Sequence, residues 1–420
     1  MGFQQGLSGL NASSKNLDVI GNNVANSQTV GFKSSRTEFA DIYASTFGSA
    51  SNLAGIGVSV AAISQQFGQG NLTTTNNPLD VAITGNGFFR MSDQSGAISY
   101  ARNGQFQVDK QGYIVNGGNG LFLTGWPVDA ATNQFLEGST PQPIKLEYSN
   151  IGAQATGASG SSNAGLQLGV NLNAQAKVIP AATPFSSSDP TTYNYATSAT
   201  IYDSLGVSHT QTMYFRRLDP VATPNTWDVH FSVDGVDLPA LTTQLVFDTN
   251  GKLDLTATTN PTPISIPLTN GATTPLAFNM YFDKSTQYGS PNTVNSLTQD
   301  GYTDGVLTGI SVSDEGVIQG RYSNSQTRNV AKVVLASFVN SQGLQPLGNN
   351  LWAESFSSGQ PLINAPGAGS TGKLQSATVE DSNVDLTAEL VNLIVAQRTY
   401  QANAQTISAQ NTIMQTLVNL

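Results

Sequence analysis

The side chains that most often act as metal ligands or general bases are rare in this sequence. It contains two histidines, His209 and His230, and no cysteine, so disulfides, thiolate nucleophiles and cysteine-ligated metals are excluded. His230 lies on the polar phase of an alternating segment, residues 227–233, which is the position of a surface histidine on a half-buried strand. We therefore expect His230 to be exposed and not to bind a ligand.

Clustered carboxylates are the second possible source of chemistry. The acidic residues between positions 300 and 315 lack the spacing of a calcium-binding EF-hand loop, and isolated acidic loop residues are usually solvated. Carboxylate pairs that hydrolyse glycosides can lie far apart in a sequence, and no pair stands out here. The four residues considered are Asp300, Asp304, Asp314 and Glu315.

Glycine-rich phosphate loops give no clear signal either. The segment Gly85-Asn86-Gly87 precedes the strand-like residues Phe88 and Phe89 instead of a helix, so a hairpin turn is the preferred interpretation. No pattern of a zinc site, a P-loop or a nucleophile elbow occurs. The sequence thus predicts a protein that is not an enzyme, with no cofactor and no catalytic, cofactor-binding or metal-binding residues.

The composition favours packing against other protein surfaces. Only 10% of the 420 residues are charged, whereas soluble proteins have about 25%. A polar surface with few charges can be buried against copies of itself at little desolvation cost. The net charge is −10 and the 17 basic residues are scattered, which disfavours nucleic acid as a partner.

No targeting or membrane-spanning segment is visible. Residues 1–24 lack the basic region and the apolar run of a secretory signal, and no apolar run reaches the roughly 18 residues of a membrane span. We expect no direct membrane insertion. The chain is either cytoplasmic or exported by a route without a cleaved signal peptide.

Both ends of the sequence carry apolar residues at heptad spacing, which predicts two coiled-coil-forming helices with a self-assembly seam. The flanking positions hold amides instead of Glu and Lys, which indicates helices surrounded by protein on several sides. The N-terminal seam comprises Phe3, Leu7, Leu10, Leu17 and Val24. The C-terminal seam comprises Leu386, Leu390, Leu393, Tyr400, Ile407, Met414 and Val418.

The middle of the chain reads as β-structure. Short strand-like segments alternate with turn signals such as Asn119-Gly120 and Asn250-Gly251, a Gly/Ala/Ser stretch around 150–165 indicates a boundary, and residues 256–274 read as loop or edge. The fold class is therefore α+β, mainly β, with the terminal helices enclosing two nested β-rich domains. The predicted strands include 81–84, 88–92, 105–109, 113–115, 121–124, 245–247, 252–255, 309–312, 317–322 and 330–339.

Residues 22–33 (NNVANSQTVGFK) resemble the signature shared by flagellar rod and hook proteins. Asn and Gly tolerate the left-handed backbone conformations in which a helix ends, and Phe32 can anchor the emerging chain. The motif residues are Asn22, Asn23, Ala25, Asn26, Thr29, Gly31, Phe32 and Lys33.

Further blocks resemble the same family in the same order. They are residues 70–83 (GNLTTTNNPLDVAI) followed by 87–89 (GFF), then 382–386 (SNVDL) and 396–404 (AQRTYQANA). Rod proteins of this family are typically shorter. The extra middle segment, with residues 202–206 (YDSLG), resembles the outer domain of hook proteins. A distal rod subunit of the basal body is the alternative within the family.

The resemblance implies a structural subunit that polymerises into a curved, flexible helical tube. This tube acts as a universal joint that transmits torque from the rod to the filament. Residues 1–24 and 384–420 would form the inner tube, 25–71 and 360–383 a connecting segment, 72–148 and 299–359 an inner β domain, and 149–298 an inserted outer β domain.

The resemblance also implies partners and a location. The partners are other copies of the chain, the distal rod protein, the hook-filament junction protein, the hook cap protein and the flagellar type III export apparatus. The location is the extracellular part of the flagellum. Outside this family, a secreted glycan hydrolase and an adhesin remain as weaker hypotheses, because no catalytic constellation stands out and both ends carry heptads.

Overall fold

The computed structural model describes residues 2–42, 55, 57–129, 134–146, 150–218 and 224–418. The fold is α+β and mainly β, with one long helix at each end, as the sequence predicts. The chain divides into two compact units. The helix-bearing unit comprises Met1–Tyr148, Gly309–Arg321 and Thr327–Leu420, and the inserted unit comprises Ser149–Thr308 and Tyr322–Gln326.

The two helices are α1, Gly2–Ala25, and α2, Leu386–Val418. Asp385 is the N-cap of α2, because its Oδ1 accepts hydrogen bonds from the backbone N–H groups of Thr387, at 2.9 Å, and Ala388, at 3.1 Å. Glu389 lies in the first turn of α2, where a negative charge is favourable to the helix dipole.

The strands follow in chain order. They are β1 (Ser35–Ile42), β2 (Gly57–Gln65), β3 (Leu72–Thr74), β4 (Val81–Thr84), β5 (Phe88–Ser92), β6 (Ile98–Ala101), β7 (Phe106–Val108), β8 (Ile114–Asn116), β9 (Phe122–Pro127), β10 (Gln142–Pro143), β11 (Gly165–Asn173), β12 (Tyr195–Tyr202), β13 (Ser208–Arg217), β14 (Thr226–Val233), β15 (Val236–Val246), β16 (Thr262–Ile266), β17 (Leu276–Tyr281), β18 (Thr286–Tyr288), β19 (Thr293–Gln299), β20 (Leu307–Val312), β21 (Val317–Tyr322), β22 (Thr327–Val333), β23 (Leu335–Ser337), β24 (Gln345–Gly348), β25 (Leu351–Ala353), β26 (Leu362–Asn364), β27 (Lys373–Ser376) and β28 (Thr378–Glu380).

The helix-bearing unit is built around one large sheet. Its strands follow the order β20-β21-β22-β9-β5-β6-β25-β24 along the main path. Its core side chains, among them Ile83, Phe89, Met91 and Ile114, are fully buried. Two small pairs, β4 with β27 and β3 with β28, join the N-terminal part of the chain to its C-terminal part. A separate antiparallel pair, β1 with β2, follows α1 and packs against it, since the backbone N–H of Val58 on β2 donates to Ser8 Oγ at 3.3 Å.

The inserted unit contains two sheets around its own core. One has the order β16-β17-β11-β18, with β19 paired to β11, and the other has the order β12-β13-β14-β15. Trp227, Phe231, Phe215 and Phe282 are fully buried in this core. Alternation on β14 explains the arrangement, because Trp227, Val229 and Phe231 share one face of the strand.

Several predictions of local structure are confirmed and others are wrong. The strands predicted at 81–84 and 88–92 have those bounds, and the turn at Asn119-Gly120 joins the paired strands β8 and β9. Gly85-Asn86-Gly87 is not a hairpin turn, because it connects β4 to β5, which pair with different strands. Residues 256–274, predicted as loop or edge, contain β16 at the edge of its sheet, and the alternating Thr262, Ile264 and Ile266 of this strand are buried.

The predicted end of the inserted domain, residue 298, precedes the observed end of the inserted unit at Thr308, and a second piece, Tyr322–Gln326, belongs to that unit. Both ends of the chain lie in the helix-bearing unit. The finer division of this unit into inner tube, connecting segment and inner β domain stays a prediction.

Candidate self-assembly site and the junction that positions it

The segment that follows α1 is fixed by its own side chains. The backbone N–H of Asn26 donates to the carbonyl of Asn22 at 3.1 Å, just beyond Ala25, the last residue of α1. The Asn26 Nδ2 donates to Asn22 Oδ1 at 2.9 Å, and Thr29 Oγ1 donates to Asn26 Oδ1 at 3.2 Å. These bonds satisfy groups that a helix end leaves unpaired.

Asn23 connects three elements. Its side chain is 1% exposed, and its Nδ2 donates to the carbonyl of Ser35 on β1 at 2.8 Å and to Glu389 Oε1 on α2 at 3.2 Å. The N–H of Ser35 donates to Asn23 Oδ1 at 2.9 Å. Asn23 therefore fixes the end of α1 against both β1 and the start of α2.

Gly31 permits the turn that follows. Its φ is +73°, in the left-handed region that favours glycine. A Cβ at this position would lie 2.5 Å from the backbone nitrogen of Asn103, so no larger residue fits. The N–H of Gly31 donates to the carbonyl of Glu380 at 2.8 Å, and the neighbouring Phe32 is 9% exposed.

Lys33 is a buried cation with a buried counter-ion. Its Nζ lies 2.5 Å from Oε1 of Glu380 and donates to the carbonyl of Gly68 at 2.8 Å. Arg102 NH1 lies 3.3 Å from Glu380 Oε2, and the N–H of Gly70 donates to Glu380 Oε1 at 2.9 Å. Lys33 and Glu380 are each 1% exposed and Arg102 is 2% exposed.

Burial lowers the pKa of Lys33, although the attraction of Glu380 and its hydrogen bond oppose that shift. Burial also lowers the pKa of Arg102 for the same reason. Two cations thus share one carboxylate at the junction, which makes Glu380 the residue on which the local charge balance depends. We call Lys33, Arg102 and Glu380 the junction triad.

The sequence predicted Lys33 as a motif residue but missed Arg102 and Glu380. Asn383 was also missed as a site residue. Its Oδ1 accepts a hydrogen bond from the N–H of Ser34 at 2.7 Å, and its Nδ2 donates to the carbonyl of Gln66 at 2.6 Å. Glu380 ends β28, whose three residues are all buried, and this burial is visible only in the fold.

The two helices pack closely because α1 presents small residues to α2. A Cβ on Gly6 would lie 2.9 Å from Ile407 Cγ1, and a Cβ on Gly9 would lie 2.9 Å from Asn403 Nδ2. Asn403 Nδ2 donates to Ser13 Oγ at 3.3 Å. Gly6 faces Ile407 whereas Asn23 reaches Glu389, so the helices are antiparallel.

The predicted seam residues lie on more than one face of the helix pair. Leu393, Tyr400 and Ile407 of α2 are half-buried, and so are Leu10, Leu17 and Val24 of α1. Phe3, at 52%, and Leu7, at 44%, are exposed, as are Leu386, Leu390 and Met414. The side chain of Val418 lies outside the described residues. The seam as an assembly surface therefore stays a prediction.

The heptad pattern missed other exposed apolar residues of α2. Val391 is 56% exposed, Ile394 is 51% exposed and Val395 is 57% exposed. They lie three and four positions apart, so they share one face of the helix. With Leu390 they form a surface that we call the α2 apolar face.

A groove lies between α1, β1 and α2. Its volume is about 460 Å³, and its apolar lining comprises Val19, Ile20, Phe39, Val395 and Ala396. Phe39 is 50% exposed, so the groove and the α2 apolar face together present uncovered hydrophobic side chains within the helix-bearing unit.

The two histidines considered for chemistry lie in the inserted unit, where each contacts other side chains. His230 is half-buried, and its ring stacks on Phe185 with centroids 4.2 Å apart, so the prediction that it is a surface residue is wrong. Burial lowers the pKa of His230. His209 lies between two carboxylates, with Nδ1 2.7 Å from Asp234 Oδ2 and Nε2 3.5 Å from Asp203 Oδ2.

The acidic residues between 300 and 315 do not form a metal-binding group among the described residues. Asp300 accepts hydrogen bonds from the backbone N–H of Gly157 at 2.7 Å and of Ser159 at 3.3 Å. Within the described residues, no group of three or more His, Asp or Glu side chains is arranged to hold a metal ion. Neither α1 nor α2 combines the length and apolarity needed to cross a membrane.

Comparisons with protein families match most of the chain in four segments. Residues 3–33 match the flagella basal body rod protein family, and residues 82–158 match the flagellar hook protein FlgE/F/G D1 domain. Residues 171–302 match the flagellar basal body protein FlaE D2 domain, and residues 375–420 match the flagellar basal body rod FlgEFG protein C-terminal family.

Whole-chain comparisons agree. The chain is 42% identical over 427 aligned residues to the flagellar hook protein FlgE of Salmonella typhimurium, with all of both chains covered. It is also 42% identical to the same protein of Escherichia coli, again with full coverage. The crystal structure of Helicobacter pylori flagellar hook protein FlgE2 has a similar fold, with a TM-score of 0.50, 14% identity, 73% of this chain covered and 100% of the other.

Proposed function

Because this chain belongs to the flagellar hook protein family and is a structural subunit of the hook, we propose that its terminal helices are the surfaces through which copies polymerise. The hook is a curved, flexible helical tube, part of the extracellular flagellar structure, and acts as a universal joint that transmits torque from the rod to the filament. The observation that supports our proposal is the uncovered α2 apolar face, with Val391, Ile394 and Val395 each more than half exposed.

In the proposed assembly, residues 1–24 and 384–420 form the inner tube. Residues 25–71 and 360–383 connect this tube to an inner β domain of residues 72–148 and 299–359, and residues 149–298 form the outer β domain. The junction triad supports this order, since it fixes the start of the N-terminal connecting segment to the end of the C-terminal one.

We further propose a division of mechanical roles. Close axial packing of the terminal helices gives the tube torsional stiffness. The β domains permit bending, because contacts between copies of a chain with only 10% charged residues can slide or open while separating few ion pairs. Removing residues 150–298 should therefore change hook curvature more than hook assembly.

The subunit is proposed to act without catalysis, cofactor or metal. Its proposed partners besides other copies are the distal rod protein, the hook-filament junction protein and the hook cap protein. The flagellar type III export apparatus is proposed to deliver it without a cleaved signal peptide. A distal rod subunit is the alternative, which a straight and rigid polymer would favour.

Electron microscopy of cells that lack this gene tests the proposal. Rods that reach the cell surface without hook or filament are the expected result, and a plasmid copy should restore both. Truncated rods would assign the chain to the rod, and intact flagella would overturn the proposal.

Tyr400→Asp in the predicted seam should block polymerisation while the β domains remain folded. Normal hooks from this variant would remove Tyr400 from the seam.

A further inference from the structure

We propose that an exposed apolar knob on the helix-bearing unit, formed by Val339 and Phe356, is a contact point for a neighbouring copy of this chain. The inference rests on the proposed polymer, but it assigns a part of the β region, remote in sequence from both helices, to subunit association. Phe356 is fully exposed, at 105% of its reference area, and Val339 is 86% exposed.

The knob is held by a network of hydrogen bonds between two loops. Asn340 Nδ2 donates to the carbonyl of Ser357 at 3.0 Å, and Ser355 Oγ donates to the carbonyl of Gly343 at 2.5 Å. Within the second loop, Ser358 Oγ donates to the carbonyl of Ser355 at 2.9 Å. The residues that flank Phe356 are therefore tied down although its ring contacts nothing.

The two loops also approach each other closely through their backbones. A Cβ on Gly343 would lie 2.4 Å from the carbonyl carbon of Ser357 and 2.5 Å from the nitrogen of Ser358. A side chain presented from such an ordered turn loses little conformational freedom when it is buried by a partner. The knob is thus preorganised for binding.

Charge favours an uncharged partner surface. Between Val339 and Gly359 the only ionisable side chain is Glu354, and this carboxylate accepts a hydrogen bond from Tyr100 Oη at 3.1 Å. Glu354 is itself exposed, so a partner surface that covers the knob must leave this one carboxylate in contact with water. A second copy of this chain offers such surfaces, because only 10% of its residues are charged.

Polymer geometry points to a second copy as the occupant. A helical polymer grows when a feature on one face of a subunit meets a different surface on the next, so that the contact repeats without closing. The knob protrudes from the subunit, so it would be buried by a differently shaped surface on the next copy. Aromatic anchors in such contacts supply a large share of the association energy.

Polymerisation of purified subunits tests the inference. Phe356→Ala should raise the critical subunit concentration about tenfold or more, which corresponds to about 1.4 kcal/mol per subunit. Phe356→Leu should retain much of the wild-type behaviour, and Ser357→Ala, which removes an exposed hydroxyl beside the knob, should have no effect. Monomer melting temperatures should be equal in all variants because the Phe356 ring is fully exposed. An unchanged critical concentration for Phe356→Ala would overturn the inference.

Cross-linking identifies the occupant. A benzophenone amino acid in place of Phe356 should yield covalent dimers and a ladder in assembled hooks, and none in dilute monomer. Hooks that form but give no ladder, or that link only to a different protein, would reject a second copy as the occupant. The proposed function would survive that result, whereas failure of the wild-type gene to restore hooks would refute the function itself.

Discussion

The Nζ atom of Lys33 lies 2.5 Å from Oε1 of Glu380, although the two residues are 347 positions apart in the sequence. Both side chains are removed from solvent, and Arg102 is buried on the other oxygen of the same carboxylate. The ion pair therefore closes the chain on itself at the point where α1 ends and α2 is about to begin.

Glu380→Gln should destabilise the helix-bearing unit by about 3–5 kcal/mol, because it leaves two buried cations without a counter-ion. Denaturant unfolding followed by the fluorescence of Trp126 and Trp352, in a Trp227→Phe background, reports on this unit alone. Lys33→Met should cost less, since the Arg102–Glu380 pair remains.

Glu137→Gln is the matched control for that change. Glu137 pairs with Lys332 at 2.7 Å, but its side chain is 52% exposed, so its loss should cost less than about 1 kcal/mol. Equal losses for the exposed and the buried carboxylate would show that the junction triad contributes nothing special to the fold.

Gly9→Leu should separate α1 from α2. A Cβ at Gly9 already lies 2.9 Å from two side-chain atoms of Asn403, and the larger side chain should cost about 1–3 kcal/mol through overpacking. Faster amide hydrogen exchange in α1 is the expected measurement, together with loss of polymerisation.

Gly21→Ala is the control within the same helix. No atom outside the local helix lies within 4 Å of a Cβ at Gly21, so alanine should stabilise α1 by about 1 kcal/mol. If both substitutions slowed exchange in α1, close packing at Gly9 would not be the feature that holds the helices together.

His209 lies between Asp234 and Asp203, and we call these three residues the His209 clamp. The clamp predicts that the stability of the inserted unit depends on pH. Burial opposes the charged ring, but the hydrogen bonds and charges of Asp234 and Asp203 outweigh it and raise the pKa of His209 above 6.5. Because the pKa is higher in the folded state, the stabilisation is fully present below the unfolded pKa and is lost as pH rises through the folded pKa.

The carboxylates limit the clamp on the acid side. Burial raises the pKa of Asp203 and of Asp234, but the hydrogen bonds each accepts prevail and lower it below 3.8, so their contribution is lost as pH falls through those values. Melting temperatures of wild type and His209→Gln, followed through Trp227, should differ most between these two limits and converge at alkaline pH. A difference that is constant with pH would exclude a charged ring.

Gln211→Met should stabilise the inserted unit. Gln211 is fully buried, and neither its Nε2 nor its Oε1 has a hydrogen-bond partner among the described residues. Replacing it with an apolar side chain of similar length should gain about 1–3 kcal/mol by removing the desolvation penalty.

Asn116→Leu should lower the stability of the fold, in contrast to Gln211→Met. Asn116 is 1% exposed, and its Nδ2 donates to the carbonyl of Asn103 at 3.1 Å while its Oδ1 accepts from Gly118 at 3.1 Å. Urea unfolding midpoints measure both changes, and a loss of stability in Gln211→Met would indicate a partner for that amide.

The sequence predicted those strands and helices whose formation depends on residues close together in the chain. Turn signals between short strand-like segments predicted the strands at 81–84 and 88–92, and the heptads predicted the two helices, because turn chemistry and period are local properties. It could not predict that Gly85-Asn86-Gly87 joins strands that pair elsewhere, since pairing partners such as β27 lie far along the chain.

Only the N-terminal half of the site could be predicted from the sequence. Asn23, Gly31 and Lys33 stood out as a motif, whereas their partners Glu380 and Glu389 are identified only by contacts that span the whole fold. His230 shows the same limit. Its polar phase on β14 indicated solvent, but Phe185 from a distant loop covers its ring.

Because of the junction triad, the final folding of the subunit requires that nearly the whole chain is present. A chain that emerges from its N-terminus brings Lys33 out early, yet this cation has no counter-ion until nearly the whole polypeptide has followed. Until Glu380 is present, Lys33 and Arg102 lack the carboxylate that they share in the folded unit, and burying both cations without it is strongly unfavourable. The junction therefore cannot close before residue 380, just ahead of the start of α2, is present.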